Sequence, residues 1–184
     1  MKKFLVIAGI AVTILIILGV VTNYFLTKHT KSFSPEEETV FKQDALEIKV
    51  FYNRPYKKGR QIFGSLVPYG KVWRTGANEA TTFETNKDIE FENQKLKKGK
   101  YSLWTIPGEE TWTIIFNSEY GQWGIGPGGE ANRDPEKDVL KLDVHSVQSE
   151  REFEQFTISF EKTGAEAEMV LIWDKTLVAV PFWQ

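Results

Sequence analysis

The chain has 184 residues, with 23 Lys and Arg against 25 Asp and Glu, a formal net charge of −2, and no cysteine. That balance excludes a general electrostatic attraction to nucleic acid. The lack of cysteine excludes disulfides, thiolate catalysis and thiolate metal sites.

Residues 4–22 are apolar apart from small interruptions such as Gly9, Thr13 and Gly19, and Lys2 and Lys3 precede them. About 19 residues at ~1.5 Å each span roughly 28 Å, close to the ~30 Å core of a bilayer. This predicts a transmembrane anchor over residues 1–22 that contacts the lipid bilayer through residues 4–22. The positive-inside tendency places the N-terminus in the cytoplasm and exports the rest as a single-pass protein. A cleaved signal peptide is the alternative, but the exit GVVTNYFLTK has no Ala-x-Ala site. Residues 23–44, with an acidic run at Glu36, Glu37 and Glu38, read as a polar stalk. A short helix capped by Ser34 and begun by Pro35 is one form that stalk could take.

From Leu46 onward a period of two dominates. Leu46, Ile48, Val50 and Tyr52 share one face. Trp112, Ile114 and Phe116 repeat the pattern, as do Leu140, Leu142 and Val144, then Phe156, Ile158 and Phe160, then Ala167, Met169, Leu171 and Trp173. Further strands fit residues 81–85, 89–92, 100–106 and 177–182, the last at an edge because of Pro181. Turn signals separate them at Asn86-Lys87-Asp88, Lys98-Gly99, Pro107-Gly108, Lys162-Thr163-Gly164 and Asp174-Lys175. The expected fold is all-β: an antiparallel β-sandwich or jelly-roll-like domain of about 8–9 strands over residues 45–184. Residues 117–137 break the rhythm with a long glycine-rich stretch, the kind of loop that is usually functional or mobile.

Residues 54–82, RPYKKGRQIFGSLVPYGKVWRTGANEATT, are the most unusual part of the chain. Three of the five arginines, Arg54, Arg60 and Arg74, fall there. Their planar donor forks suit carboxylates and phosphates, so they are candidate binders of a small anionic ligand. The competing reading is that they pair with the protein's own acids and lock loops in place. Trp73, Asn78 and Glu79 add a ring for stacking and groups that could hydrogen-bond sugar hydroxyls. Tight structural turns use the same residues, with Asn78 and Glu79 satisfying local N–H groups. Glu79 is the candidate general acid or base. A glycosidase would need a second carboxylate ~5–9.5 Å away, and Asp138, Asp134 or Glu84 are the options. The two histidines, His29 and His145, lack a second ligand at metal-site spacing, so neither a metal nor another cofactor is expected.

The run GRQIFGSLVPYGKVWRTGANEAT resembles the signature of a bacterial family of uncharacterised proteins, domain of unknown function 2911. The pieces LKKGKYSLWTIPGEETWTIIFN, DVLKLDV, EQFTISF and LIWDKTLVAVPF fit it too, covering roughly residues 46–182. The resemblance implies an exported or envelope-associated β-rich domain and no established activity. The expectation is therefore a membrane-anchored, non-enzymatic domain of the cell envelope that binds a glycan, a small anion or a protein partner. A hydrolase of an envelope carbohydrate using Glu79, and a structural scaffold of the envelope, are the alternatives.

Overall fold

The computed structural model describes residues 2–163 and 166–184. Two compact units share the chain, residues 1–33 and 34–184. The first is helix α1, Lys2–Ser32. Its stretch Gly9–Ser32 has a mean hydropathy of 2.2 and is long and apolar enough to cross a membrane, a property that anchors and signal sequences share. Tyr24, Phe25 and Leu26 extend the apolar surface past residue 22, and a helix hydrogen-bonds its own backbone wherever it runs.

Among the described residues the second unit is built on nine antiparallel strands: β1 Glu36–Gln43, β2 Leu46–Asn53, β3 Thr81–Thr85, β4 Ile89–Phe91, β5 Gln94–Leu96, β6 Gly99–Ile106, β7 Thr111–Asn117, β8 Asp138–Thr163 and β9 Glu166–Phe182. Seven form one sheet in the order β1-β2-β3-β6-β7-β8-β9, and β4 and β5 pair as a small second sheet. The large sheet curls back on itself. The stretch after β2 hydrogen-bonds to the distal part of β8, through Lys57 N–H to Glu154 O (2.6 Å) and Phe156 N–H to Pro55 O (3.0 Å). The result is a sandwich-like half-barrel, in agreement with the all-β expectation. Every alternating apolar set lines its inside, where Ile48, Val50, Leu103, Ile114, Phe156 and Met169 are all fully buried or nearly so.

Three boundaries differ from the sequence expectation. Residues 23–44 are not a stalk: α1 continues to Ser32 and β1 occupies 36–43, where Phe41 meets Phe160 and Phe182 across the core. The acidic run masks β1 because an edge strand exposes one rim, and charges there discourage strand addition. The expected strands at 140–144 and 156–160 are parts of one strand, β8, and those at 167–173 and 177–182 are parts of β9. Asp174, a turn signal, instead opposes Phe153 at positive φ (54°) beside two register shifts, so the pair of long strands bends and pairing continues. The turn at Lys162-Thr163-Gly164 reaches residues outside those described.

Tyr52 ties the curl shut. Its buried hydroxyl donates to Ile158 O (3.2 Å) and accepts from Ile158 N–H (2.9 Å). Tyr52→Phe leaves both main-chain groups without that partner. It is expected to lower the stability of the full chain by about 1–3 kcal/mol, read as a lower midpoint in thermal or urea unfolding.

Candidate functional site

The segment between β2 and β3 contributes its own strip of extended backbone. Trp73 N–H donates to Thr105 O (2.7 Å) and Thr105 N–H to Trp73 O (2.9 Å). Neighbours in extended chain face opposite ways. The Trp73 indole enters the main core, 6.0 Å from Trp173 in a stacked arrangement and 5.0 Å from Phe156, and its Nε1–H bonds Gly76 O (3.0 Å). Val72 packs on the other side, against a second small core of Ala80, Trp104 and Ile115. β6 obeys the same alternation, sending Leu103 to the main core and Trp104 to the second.

The turn that follows is tightly specified. Thr75 and Asn78 both adopt positive φ, and a Cβ at Gly76 would lie 2.9 Å from Asn53 O, so only glycine fits there. Asn78 Nδ2 donates to Asn53 Oδ1 (3.1 Å), and Asn53 Nδ2 donates to Glu79 Oε2 (3.1 Å). The buried amide of Asn53 thus relays between the two candidate polar residues.

Residues 118–134 fold over this turn. Ala80 N–H donates to Gln122 O (3.1 Å) and Gly124 N–H to Asn78 O (2.9 Å). Asn117, fully buried, holds the loop at both ends: it accepts from Glu119 N–H (2.9 Å) and donates to Asp134 O (2.7 Å) and Asp138 Oδ1 (2.8 Å). Asp138 also pairs with Arg133 and with Lys141 (2.8 Å). Burial pulls the Asp138 carboxyl upward, but the donors of Arg133, Lys141 and Asn117 outweigh it and hold the group below its usual range.

Between the loop and the turn lies a cavity of about 510 Å³, within the ~300–1,000 Å³ of small-molecule sites. Leu66, Val67, Pro68, Val72, Ile125 and Ala131 supply apolar wall, and Lys71, Arg74, Glu130 and Arg133 supply charge. The Arg74 stem lies across Gly124: a methyl group at 124 would overlap Arg74 Cδ and sit 2.7 Å from its Cβ. Among the described residues the Arg74 guanidinium has no hydrogen bond and no ion pair, and its Nε is buried without a partner. Burial pushes it down to about 10, so it still carries its charge at neutral pH.

The other candidates sit differently. Arg54 spans Phe156 O (3.1 Å), Thr157 Oγ1 (2.8 Å) and Glu37 (3.5 Å), stapling β1 and β8 to the end of β2. Arg60 is exposed and donates to Lys57 O (2.9 Å) and Tyr56 O. Of the six residues singled out in the sequence, Arg54, Arg60, Trp73, Arg74, Asn78 and Glu79, two line the cavity, Trp73 and Arg74. The possible partners of Glu79 have their own engagements: Glu84 pairs with Lys100 (3.5 Å) and Asp134 Oδ1 accepts from Glu136 N–H (3.0 Å). Sequence reading missed Lys71, Glu130 and Arg133 as lining residues. The glycines around them were the available signal, since Gly124 is where the loop and Arg74 meet.

Gly124→Ala should displace Arg74 while keeping an allowed backbone, and is expected to alter the fluorescence of Trp123, whose carbonyl accepts from Asn132 Nδ2 (2.9 Å) in the same loop. Asp138→Asn removes a carboxylate whose side chain is 6% exposed from a partner, Arg133, that is 9% exposed. A loss of about 3 kcal/mol is expected in urea unfolding. The sign with pH follows from the lowered folded-state value. Stability from Asp138 is fully present above its unfolded value near ~3.9 and is lost as pH falls through the folded value, so the wild-type advantage over Asp138→Asn should shrink in strong acid.

No curated protein and no solved structure gives a significant match to the chain. A family model described as "Protein of unknown function (DUF2911)" matches residues 34–182, which is the whole of the second unit but for its last two residues. With its sheet, its turn and its loop all inside that match, the chain belongs to the DUF2911 family.

Proposed function

We propose that the protein is a membrane-anchored binding module of the cell envelope that takes a small organic anion in the cavity beside Arg74. One observation carries the reading: a partly buried guanidinium that lines an open cavity, with its Nε buried and unpartnered and no carboxylate paired with it among the described residues. A buried charge costs several kcal/mol unless it is paired, so an unpaired one lowers stability unless a ligand completes it. Arg54, Arg60 and Arg133, by contrast, each find hydrogen-bond or ion-pair partners within the protein. An anion is favoured over a glycan because the Trp73 ring, the expected stacking platform, is 8% exposed and packed among Phe63, Trp112, Phe156 and Trp173. Helix α1 serves as the uncleaved anchor, with the N-terminus cytoplasmic and the β domain exported.

Arg74→Met separates a site from a structural cation. Methionine keeps the apolar stem and removes the charge. The expected outcome is a gain of about 1–2 kcal/mol in unfolding free energy together with loss of anion binding. Destabilisation by Arg74→Met with binding retained would return Arg74 to a structural role. For topology, the cysteine-free chain allows a single label. Glu150→Cys, at an exposed position, should react with a membrane-impermeant maleimide on intact protoplasts of an expressing host. Reaction only after lysis would refute export.

A further inference from the structure

The uncharged walls of the cavity restrict what a bound anion must carry besides its charge. Lys71 and Glu130 are both exposed and opposite in sign, so they offset each other and water screens both. Arg133 is paired with Asp138, which leaves Arg74 to hold an anionic head. The rest of the wall is mostly aliphatic. Val72 and Ala131 line the cavity while packing against the buried cluster of Ala80, Trp104 and Ile115, so this wall continues a small hydrophobic core. Leu66 and Ile125 line it from two different segments and are 45% and 36% exposed. Both are fixed by their backbones. Leu66 N–H donates to Gln61 O (3.3 Å), and buried Val67 beside it donates to Ile62 O (2.9 Å). Ile125 is bridged to Ala131, and Gly126 N–H donates to Glu130 O (2.8 Å). A single exposed aliphatic residue is ordinary, but two held at one cavity whose wall continues a core make a surface suited to an apolar group. A polar group pressed against it would lose water without gaining a partner.

We infer that the cavity takes a small aliphatic carboxylate from solution, its head on Arg74 and its hydrocarbon against Leu66, Val72 and Ile125. This rests on the anion-site reading above and adds the chemical class of the ligand. A carboxylate matches the planar fork of a guanidinium, which can give it two parallel hydrogen bonds. The hydrocarbon adds affinity with each methylene it moves from water onto the aliphatic wall. A fully buried methylene is worth about fourfold in affinity, and one half-buried in an open cavity about twofold.

The test uses the full chain in lipid nanodiscs, with ligand-observed NMR titrations of acetate, butyrate, hexanoate and the uncharged hexanamide. Empty nanodiscs supply the baseline for partitioning into lipid, and thermal unfolding checks that each variant is folded. The expected result is affinity that rises along the acid series, with hexanoate at least about tenfold tighter than acetate and hexanamide weaker than hexanoate. Arg74→Gln should lose binding of all three acids. Leu66→Ser combined with Ile125→Ser changes two exposed side chains, and should bring hexanoate to within about threefold of acetate. Equal binding of the three acids, lost in Arg74→Gln, overturns the aliphatic ligand and leaves the anion site standing. A series as steep in the double variant as in the wild type overturns the placement of the hydrocarbon. Hexanamide binding as tightly as hexanoate, acid binding that survives in Arg74→Gln, or no binding of any acid overturns the anion site itself.

Discussion

The burial of Trp73 is the constraint on which the rest of the site depends. Its indole sits among the rings of Phe63, Trp112, Phe156 and Trp173 and is pinned by a hydrogen bond to Gly76 O, while its main-chain N–H and C=O are both held by Thr105. Burying a tryptophan contributes several kcal/mol, more than any other single side chain in this segment can offer. Once the ring is inside, the alternation of extended backbone leaves Arg74 no access to that core. It must lie on the Val72 side, beneath residues 118–134, where the packing is thinner and a cavity remains.

The arginines show how one chemical type is put to different ends by position. Arg54 lies at the mouth of the curl, within reach of Phe156 O and Thr157 Oγ1 of β8, and it organises the seam. Arg60 closes a local turn. Arg133 is drawn into the cluster with Asp138, Asn117 and Lys141 that fixes the end of the long loop. Arg74 is the exception, resting its hydrocarbon stem on Gly124 with its Nε unmet. The loop is therefore rigidly attached where it carries the cavity wall, through Asn78, Ala80 and Asn117, and is glycine-rich where it must let an arginine and a glutamate lie close to backbone.

Much of the sheet was legible because each inner face alternates against a polar outer one, as in Leu46, Ile48, Val50 and Tyr52. β1 was not, since its acids describe an exposed edge and Phe41 alone marks the buried side. The continuity of β8 and β9 was not either. Asp174 at positive φ is a turn in most contexts, and here it is a bulge because Phe153 and the strands on either side hold it in register. The density of arginines drew attention to residues 54–82, but composition carries no distances, and Arg54 meets partners about a hundred positions away in the chain.

What the sequence determined by itself was the apolar helix, the antiparallel β domain and its membership of the DUF2911 family, because periodicity and motif order are local properties of the chain. What only the tertiary structure decided was how Arg54, Arg60, Arg74 and Arg133 are each engaged. That depends on which carbonyls and carboxylates the curl of the sheet carries into reach of each guanidinium. Trp73 looks like a loop residue in the sequence and is core in the fold; Arg74 beside it looks like its equal partner and ends on the opposite face.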